Sequence, residues 1–275
     1  RICVDVLPPI PKDTTDRNRT SPLAFTGNKF EFRMLGSSQS IAGPNIALNT
    51  IMAEELSKFA DILENSEDFD SALHTLVCDT FTQHQRILFS GNGYSDEWQQ
   101  EAQRRGLSEL RNTTQAMPSY ASDKNVELVT KRGIFTESEF RARNEIYLEA
   151  YRKIINIEAK ATADIALRQI IPAVSRYCAE LANNISVKKA AGCSCKAEAA
   201  LSEKLSTGTD KLYDLCEQLM KDLKNTPTGN VEAANYFSDI IIPQMDAVRA
   251  EADALELITD KCYWPFPTYS DLLFY

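Results

Sequence analysis

The chain has 275 residues, of which 25% are charged, and a formal net charge of −9. This length can bury a substantial core, but the acidity excludes a generic nucleic-acid binder and a protein that holds anionic membranes through a basic face. No run of about 18 apolar residues and no leader pattern occurs, so we expect no membrane span. The odd count of seven cysteines favours reduced thiols in the cytoplasm.

The first 42 residues are rich in proline and glycine and contain one segment of alternating polarity, KFEFRML, at residues 29–35. Side chains two residues apart in a strand share a face, so Lys29, Glu31 and Arg33 are predicted to point together. Phe30 and Phe32, which alternate with these charges, are predicted to fill the core together with Met34. Because the first residue is Arg and not Met, we expect a fragment of a longer protein.

From residue 43 onward the sequence is predominantly helical in pattern. Apolar stripes and capping residues predict helices at about residues 44–63, 69–88, 96–105, 197–223 and 231–258. Ser95 is the predicted N-cap of the helix at 96–105. A Thr136–Glu139 capping box opens a further long helix, which Pro172 should kink or break. Residues 107–130 are polar without a long period and are predicted to be a boundary region. The predicted class is α+β and predominantly helical, with an antiparallel helical bundle in the second half and a docked aromatic tail.

The charged face of the predicted strand has a chemistry of its own. A carboxylate flanked by two cations suits a metal–phosphate site, since Glu31 can bind a hard divalent ion while Lys29 and Arg33 neutralise phosphoryl oxygens. Arg17 and Arg19 lie just upstream and can add bidentate phosphate contacts. The alternative is a solvated strand face whose charges screen each other, which is the usual pattern of a half-buried strand.

Five segments together resemble one enzyme family. They are NRTSPLAFTGNKFEFR, GSSQSIAGPN, GNGYSDEW, FTESEFRARNEIYLEAY and WPFPTYSDLLF. They resemble the C-terminal part of type III glutamine synthetase, and the resemblance covers essentially the whole chain. It implies ATP-dependent ligation of ammonia to glutamate through a γ-glutamyl phosphate, with Mg²⁺ or Mn²⁺ as cofactor and a ring-type homo-oligomer as the full-length assembly.

The resemblance also implies a role for each matching site residue. Asn18-Arg19-Thr20 and Glu31-Phe32-Arg33 match the family's Asn-Arg-Ser/Thr and Glu-x-Arg elements. Glu31 would ligate one of the two active-site cations, and Arg33 would face glutamate or its γ-phosphate. Arg19 would contact the ATP γ-phosphate and glutamate, and Lys29 the nucleotide.

Two positions depart from the family pattern. The better-known type I enzymes have a further arginine five residues after the arginine of the Asn-Arg element, where this chain has Ala24, and the interval from Arg19 to Glu31 is shorter. The tail carries Ser270 where glycine is expected, which we interpret as a tolerated local change. Because of the difference at Ala24 and the shorter interval, the family's residue roles carry over less directly to the loop between Arg19 and Asn28.

We predict that residues 1–115 are the C-terminal part of the catalytic domain and that residues 116–275 are a type III-specific helical region. The chain alone is expected to be inactive, because the remaining metal ligands would lie upstream. One alternative is an assembly or regulatory module with no chemistry of its own, and another is a related ligase that couples glutamate to a different amine. A thiolate zinc site around Cys193 and Cys195 is a weaker possibility, since the spacing matches no strong pattern.

Overall fold

The computed structural model describes residues 23–25, 29–33, 36, 39–89 and 91–273, and only the backbone of residues 24, 25, 269 and 270. Arg19 and the rest of the predicted upstream loop lie outside these residues. Within them the chain is predominantly helical, as predicted, with one two-stranded sheet. The strands are β1 (Leu23–Phe25) and β2 (Phe30–Phe32). The helices of the first half are α1 (Ala42–Glu64), α2 (Phe69–His84) with a 3₁₀ turn at Gln85–Ile87, α3 (Asp96–Arg104), α4 (Thr113–Tyr120) and α5 (Asp123–Lys131).

The second half is built from longer helices. They are α6 (Glu137–Ile165), α7 (Ile171–Ala190), α8 (Lys196–Lys224), α9 (Asn230–Tyr236), α10 (Ile242–Glu256) and the short α11 (Tyr269–Leu273). The chain divides into two compact units, unit 1 with Arg1–Arg111 and Ser122–Phe140, and unit 2 with Asn112–Ala121 and Arg141–Tyr275. Among the described residues, no helix has the length and apolarity needed to cross a membrane.

Unit 2 is organised around α8, which packs against α7 and α10. Four α8 side chains lose all solvent exposure in this packing: Leu205, Leu212, Cys216 and Leu219. Gly208 lies among them, and α10 approaches so closely there that a Cβ on the glycine would lie 2.8 Å from Leu255 Cδ2. The absence of a side chain at Gly208 therefore sets the distance between these two helices.

Pro172 does not break the helix that begins at residue 137, and this corrects the sequence prediction in part. The helix passes through a π-helical turn at Ala166–Ile170 and continues directly as α7. The same device recurs at Phe237–Ile241, just before Pro243. A proline has no N–H to donate to a carbonyl of the preceding turn. The wider π turn accommodates the loss of that hydrogen bond, and the helix continues.

The stretch at 107–130, where the sequence predicts a boundary region, contains two short helices that the sequence pattern did not predict. Helix α4 is capped by Asn112, whose side chain accepts a hydrogen bond from the backbone N–H of Gln115 at 2.9 Å. Helix α5 buries Val126 and Val129. With eight and nine residues, these helices are too short to display the long apolar period that the prediction required.

Two predicted caps are confirmed. The Ser95 hydroxyl accepts a hydrogen bond from the backbone N–H of Trp98 at 3.4 Å and so caps α3. Thr136 and Glu139 form the reciprocal box at the start of α6, with the Thr136 N–H donating to Glu139 Oε2 at 2.8 Å and the Glu139 N–H donating to Thr136 Oγ1 at 3.3 Å. These local signals were readable because each cap needs only residues that are close in sequence.

Unit 1 is joined internally by a buried carboxylate. The Glu54 side chain, on α1, is only 11% exposed and contacts Arg132 Nη2 at 2.5 Å and Lys131 Nζ at 3.2 Å, both at the end of α5. Lys58 Nζ, one turn further along α1, lies 3.8 Å away. Hydrogen bonding to Arg132 first, and then to Lys131, lowers the pKa of Glu54. This cluster links two helices that are far apart in sequence.

We expect Gly208→Ala to destabilise unit 2. Alanine is the better helix former by about 1 kcal/mol, but overpacking a core costs about 1–3 kcal/mol, so the net loss of unfolding free energy should be about 1 kcal/mol. Urea denaturation followed by Trp264 fluorescence, in a Trp98→Phe background, reports on unit 2 alone, because these are the two tryptophans of the chain.

Ser206→Ala, at an exposed site on the same helix, is the control and should leave stability nearly unchanged. In a Leu255→Ala background the closest clash is removed, and the remaining tight contact, 3.1 Å to Glu251 Oε1, involves the end of a flexible side chain, so Gly208→Ala should become stabilising. A Gly208→Ala chain more stable than the parent would contradict this account of the contact.

We expect Glu54→Gln to weaken unit 1 at neutral pH, because Arg132 and Lys131 would lose their countercharge. A lowered pKa in the folded state means that the ionised carboxylate contributes stability above its ordinary pKa of 4.5, and that this contribution is lost as the pH falls through the lowered value. The difference in unfolding free energy between the parent and Glu54→Gln should therefore become smaller on acidification from about pH 5 to about pH 3. Trp98 fluorescence during urea denaturation, in a Trp264→Phe background, measures this difference, with the exposed Glu64→Gln as control. A difference that does not change with pH would contradict the assignment.

Candidate functional site

The predicted site strand lies in an antiparallel hairpin. Strands β1 and β2 pair with Leu23 opposite Phe32, Ala24 opposite Glu31 and Phe25 opposite Phe30. The position where the related type I pattern has an arginine is therefore directly across the ladder from the candidate metal ligand. In such a pair, opposite residues have Cβ atoms about 5 Å apart. The departure at residue 24 thus falls on the backbone position that pairs with Glu31.

Three charged side chains of the hairpin contact one another, as their alternation predicted. Arg33 Nη2 donates to Glu31 Oε2 at 2.8 Å, and Lys29 Nζ lies 3.4 Å from Glu31 Oε1. The side chains of Lys29, Glu31 and Arg33 are 66%, 37% and 23% exposed, respectively. Each carboxylate oxygen of Glu31 therefore faces a different cation, at a position that solvent and a ligand can reach.

The electrostatics of this trio keep the carboxylate ionised. Hydrogen bonding from Arg33 is the largest cause that lowers the pKa of Glu31, and Lys29 adds a smaller hydrogen-bond and charge contribution. Partial burial acts in the opposite direction but does not reverse the shift. Glu31 is thus an anionic oxygen donor at neutral pH, which is the form that binds a divalent ion.

The trio fits part of a metal–phosphate site. A carboxylate is the ligand that Mg²⁺ and Mn²⁺ prefer, and the two cations beside it match phosphate oxygens. One carboxylate is not a complete metal site, however. Among the residues that the structure describes, no three His, Cys, Asp or Glu side chains come together in a group that can hold a metal ion. The described residues include Cys193 and Cys195 and begin at residue 23.

The predicted burial of the strand's apolar face was wrong for this chain. Phe30 is 70% exposed and Phe32 is 46% exposed. Alternation correctly placed the phenylalanines on the face opposite the charges, but burial also requires an element that covers that face. In the described residues β1 is the only strand paired with β2, so no further part of a sheet lies beside it.

The GNGYSDEW segment forms a turn leading into α3. Gly91 has a φ of +154°, and a Cβ there would lie 2.8 Å from Phe89 Cζ, so a side chain would collide with that ring. The Phe89 ring stacks on Trp98 at 4.0 Å between centroids, and the Arg105 guanidinium lies 5.5 Å from the centre of the Trp98 ring. Gly91 therefore leaves the space that the Phe89 ring occupies in this turn.

The two histidines of the chain, His74 and His84, are exposed on α2.

Sequence reasoning missed two features that depend on distant residues. One is the Glu54 cluster, whose partners lie 77 and 78 residues away in the chain. The other is a cavity in unit 2 between α6, α10 and the aromatic tail. The tail's composition did indicate packing, and Trp264 and Phe266 pack against the core of unit 2, but no local pattern specifies a cavity.

Comparison with known proteins identifies the family. Residues 72–189 match the glutamine synthetase C-terminal domain. The chain is 37% identical to the type-3 glutamine synthetase of Dictyostelium discoideum, over 97% of this chain and 38% of that protein. It is 34% identical to a glutamine synthetase of Butyrivibrio fibrisolvens and 33% identical to one of Bacteroides fragilis strain YCH46, over 96% and 98% of this chain. The chain thus spans 38% of the length of each of these relatives.

The similarity to glutamine synthetases is not confined to the segment that matches the family model. The match extends over nearly the full chain with three relatives, and the Glu-x-Arg strand with its neighbouring lysine is one of the elements on which the resemblance rests. The chain therefore belongs to the glutamine synthetase family and corresponds to the C-terminal part of a type III enzyme.

Proposed function

We propose that this chain supplies part of the active site of an ATP-dependent ligase that joins ammonia to glutamate and produces glutamine in the cytoplasm. The observation that carries the proposal is the Glu31 carboxylate held between Lys29 and Arg33, at 3.4 Å and 2.8 Å, on a strand that matches the family's Glu-x-Arg element. The names of the three relatives support the same reaction.

Each residue of the site has a role in this proposal. Glu31 would hold one Mg²⁺ or Mn²⁺ ion, and a bound divalent ion neutralises charge on the transferring phosphoryl group. Arg33 would leave its contact with Glu31 to orient the glutamate γ-carboxylate and its phosphate, since a guanidinium binds both bidentately. Lys29, the most exposed of the three, would contact the nucleotide. Arg19, outside the described residues, would contact the ATP γ-phosphate and glutamate.

The proposal also assigns parts of the fold. Residues 1–115 would complete the catalytic domain, and residues 116–275 would form the type III-specific region, with its long helices in an antiparallel bundle. The apolar side chains that α1 leaves exposed, including Ile51 at 51% and Leu56 at 58%, would pack against the portion of the catalytic domain that the relatives have and this chain lacks. The chain alone would then be inactive.

A second candidate function is assembly through the helical region. The three most exposed isoleucines of helix α6 are Ile146 at 59%, Ile154 at 49% and Ile157 at 66%. They recur at spacings of eight and three residues, which places them on one face of the helix. A solvent-facing isoleucine stripe is costly in water and is typical of a protein interface. In this reading the region would join subunits into a homo-oligomer and carry out no chemistry.

We expect Glu31→Ala in the full-length enzyme to abolish most glutamine formation and to weaken Mn²⁺ binding, because an anionic oxygen ligand is removed. Glu31→Asp should retain part of both, since it keeps the carboxylate. Glutamine production at saturating ATP and a Mn²⁺ titration are the two measurements. Glu55→Ala, an exposed carboxylate on α1 that also pairs with a lysine, is the control. Parental activity and metal affinity in Glu31→Ala would exclude the role.

We expect Ile157→Glu to dissociate the full-length oligomer if the α6 stripe joins subunits, because a charge would then have to be buried in an apolar interface. Sedimentation velocity measures the particle, and circular dichroism shows whether the subunit stays folded. Val187→Glu, at a residue of α7 that is 60% exposed, is the matched control and should leave the particle intact. An unchanged particle with Ile157→Glu counts against the assembly function.

A further inference from the structure

A cavity of about 480 Å³ lies in unit 2, between α6, α10 and the segment that follows α10. This volume is within the range of small-molecule sites, about 300–1,000 Å³. The cavity shares no residue with the Glu31 hairpin, and neither the proposed ligase chemistry nor the isoleucine stripe uses it. Its occupant is therefore a separate question.

The inner wall of the cavity is apolar and well packed. Ala166 and Ile170 of the first π turn and Val248 and Ala252 of α10 are all buried. The outer wall is aromatic, and Trp264 meets Phe266 edge to face at 6.3 Å between ring centroids. Both rings are partly buried and pack against the core of unit 2. Such a lining accepts the hydrocarbon or aromatic part of a ligand.

The aromatic wall is held in place by polar contacts of its own. The Thr268 N–H and hydroxyl both donate to Asp271 Oδ2, at 2.9 and 2.8 Å, and Lys261 pairs with the same carboxylate. Lys261 and these hydrogen bonds lower the pKa of Asp271 to about 2, so the carboxylate stays ionised and able to accept these contacts over the neutral range. Tyr263 adds a contact to Glu180 of α7. These contacts tie the segment that carries the aromatic wall to itself and to α7, and a wall that is ordered in advance reduces the entropy cost of binding.

The mouth of the cavity carries a net negative charge. Arg249 and Asp253 pair with each other across one turn of α10, with Nε 3.4 Å from Oδ2. Glu256, one turn further along, also lines the cavity and is partly buried. Within the described part of the chain it forms no ion pair. The lining therefore includes one carboxylate without a countercharge and one indole ring, Trp264, and both kinds of group attract a cation.

We propose that this cavity binds a small amphipathic amine, with its apolar body between α6 and α10 and its ammonium group between the Glu256 carboxylate and the Trp264 ring. The apolar wall selects the body of the ligand, and the carboxylate and the indole select its charge. A ligand of the same shape with a hydroxyl or carboxylate head would lose one or both of these interactions. The site rests on unit 2 alone, so it does not depend on the proposed ligase function.

The test is calorimetric titration of the full chain with 4-phenylbutylamine, 4-phenylbutanol and 4-phenylbutyrate, which differ only in the head group. We expect the amine to bind at least 10-fold more tightly than the alcohol and the carboxylate to bind most weakly. Trp264 fluorescence in the Trp98→Phe chain should change on addition of the amine, because the indole lines the cavity.

Two variants assign the binding to this cavity. Glu256→Gln should weaken amine binding about 10-fold and leave the alcohol unchanged, whereas Glu203→Gln, at an exposed site on α8, should change neither. Thr162→Phe, which fills the cavity from its rim, should weaken binding of all three probes. Absence of amine binding, equal affinity for amine and alcohol, or an unchanged affinity in Glu256→Gln each overturns the proposal.

Discussion

The close approach of α8 and α10 is the constraint on which unit 2 depends. Gly208 leaves no room for a Cβ beneath Leu255, and α8 also packs against α7 and both π turns. Burial in this contact raises the pKa of the Cys216 thiol to about 11, so the sulfur stays protonated and serves as a core side chain. Because α10 is fixed by α8, the cavity that α10 lines is fixed as well.

Local signals in the sequence predicted most of the helices, and long-range packing explains the exceptions. The cap at Ser95 and the box at Thr136 require only near neighbours, and both are present. Pro172 was expected to kink or break its helix because a proline lacks an N–H, yet a π turn absorbs that loss within a buried core. Whether a helix ends at a proline or continues through a π turn depends on the packing around the proline. That packing involves residues distant in sequence, so a local pattern does not specify it.

The candidate site shows the same division between local and distant information. Alternation of charge and phenylalanine placed Lys29, Glu31 and Arg33 together, and their contacts confirm this. It did not reveal that Phe30 would stay exposed, because burial requires a covering element that alternation does not specify. The Glu54 cluster is similar in charge to the Glu31 trio but joins two distant helices, whereas the trio joins residues of one strand segment. This difference favours a structural role for Glu54 and leaves Glu31 available to a ligand.

The central claim is that the full-length protein makes glutamine through a γ-glutamyl phosphate, with Glu31 and its neighbouring cations at the reacting groups. Glutamate labelled with ¹⁸O in its γ-carboxylate tests this directly, because ammonia must displace a phosphate that carries one carboxylate oxygen. With ATP, ammonia and the full-length enzyme, mass spectrometry of the released phosphate should show one ¹⁸O atom for each glutamine formed. Glutamine formed together with unlabelled phosphate would contradict the claim.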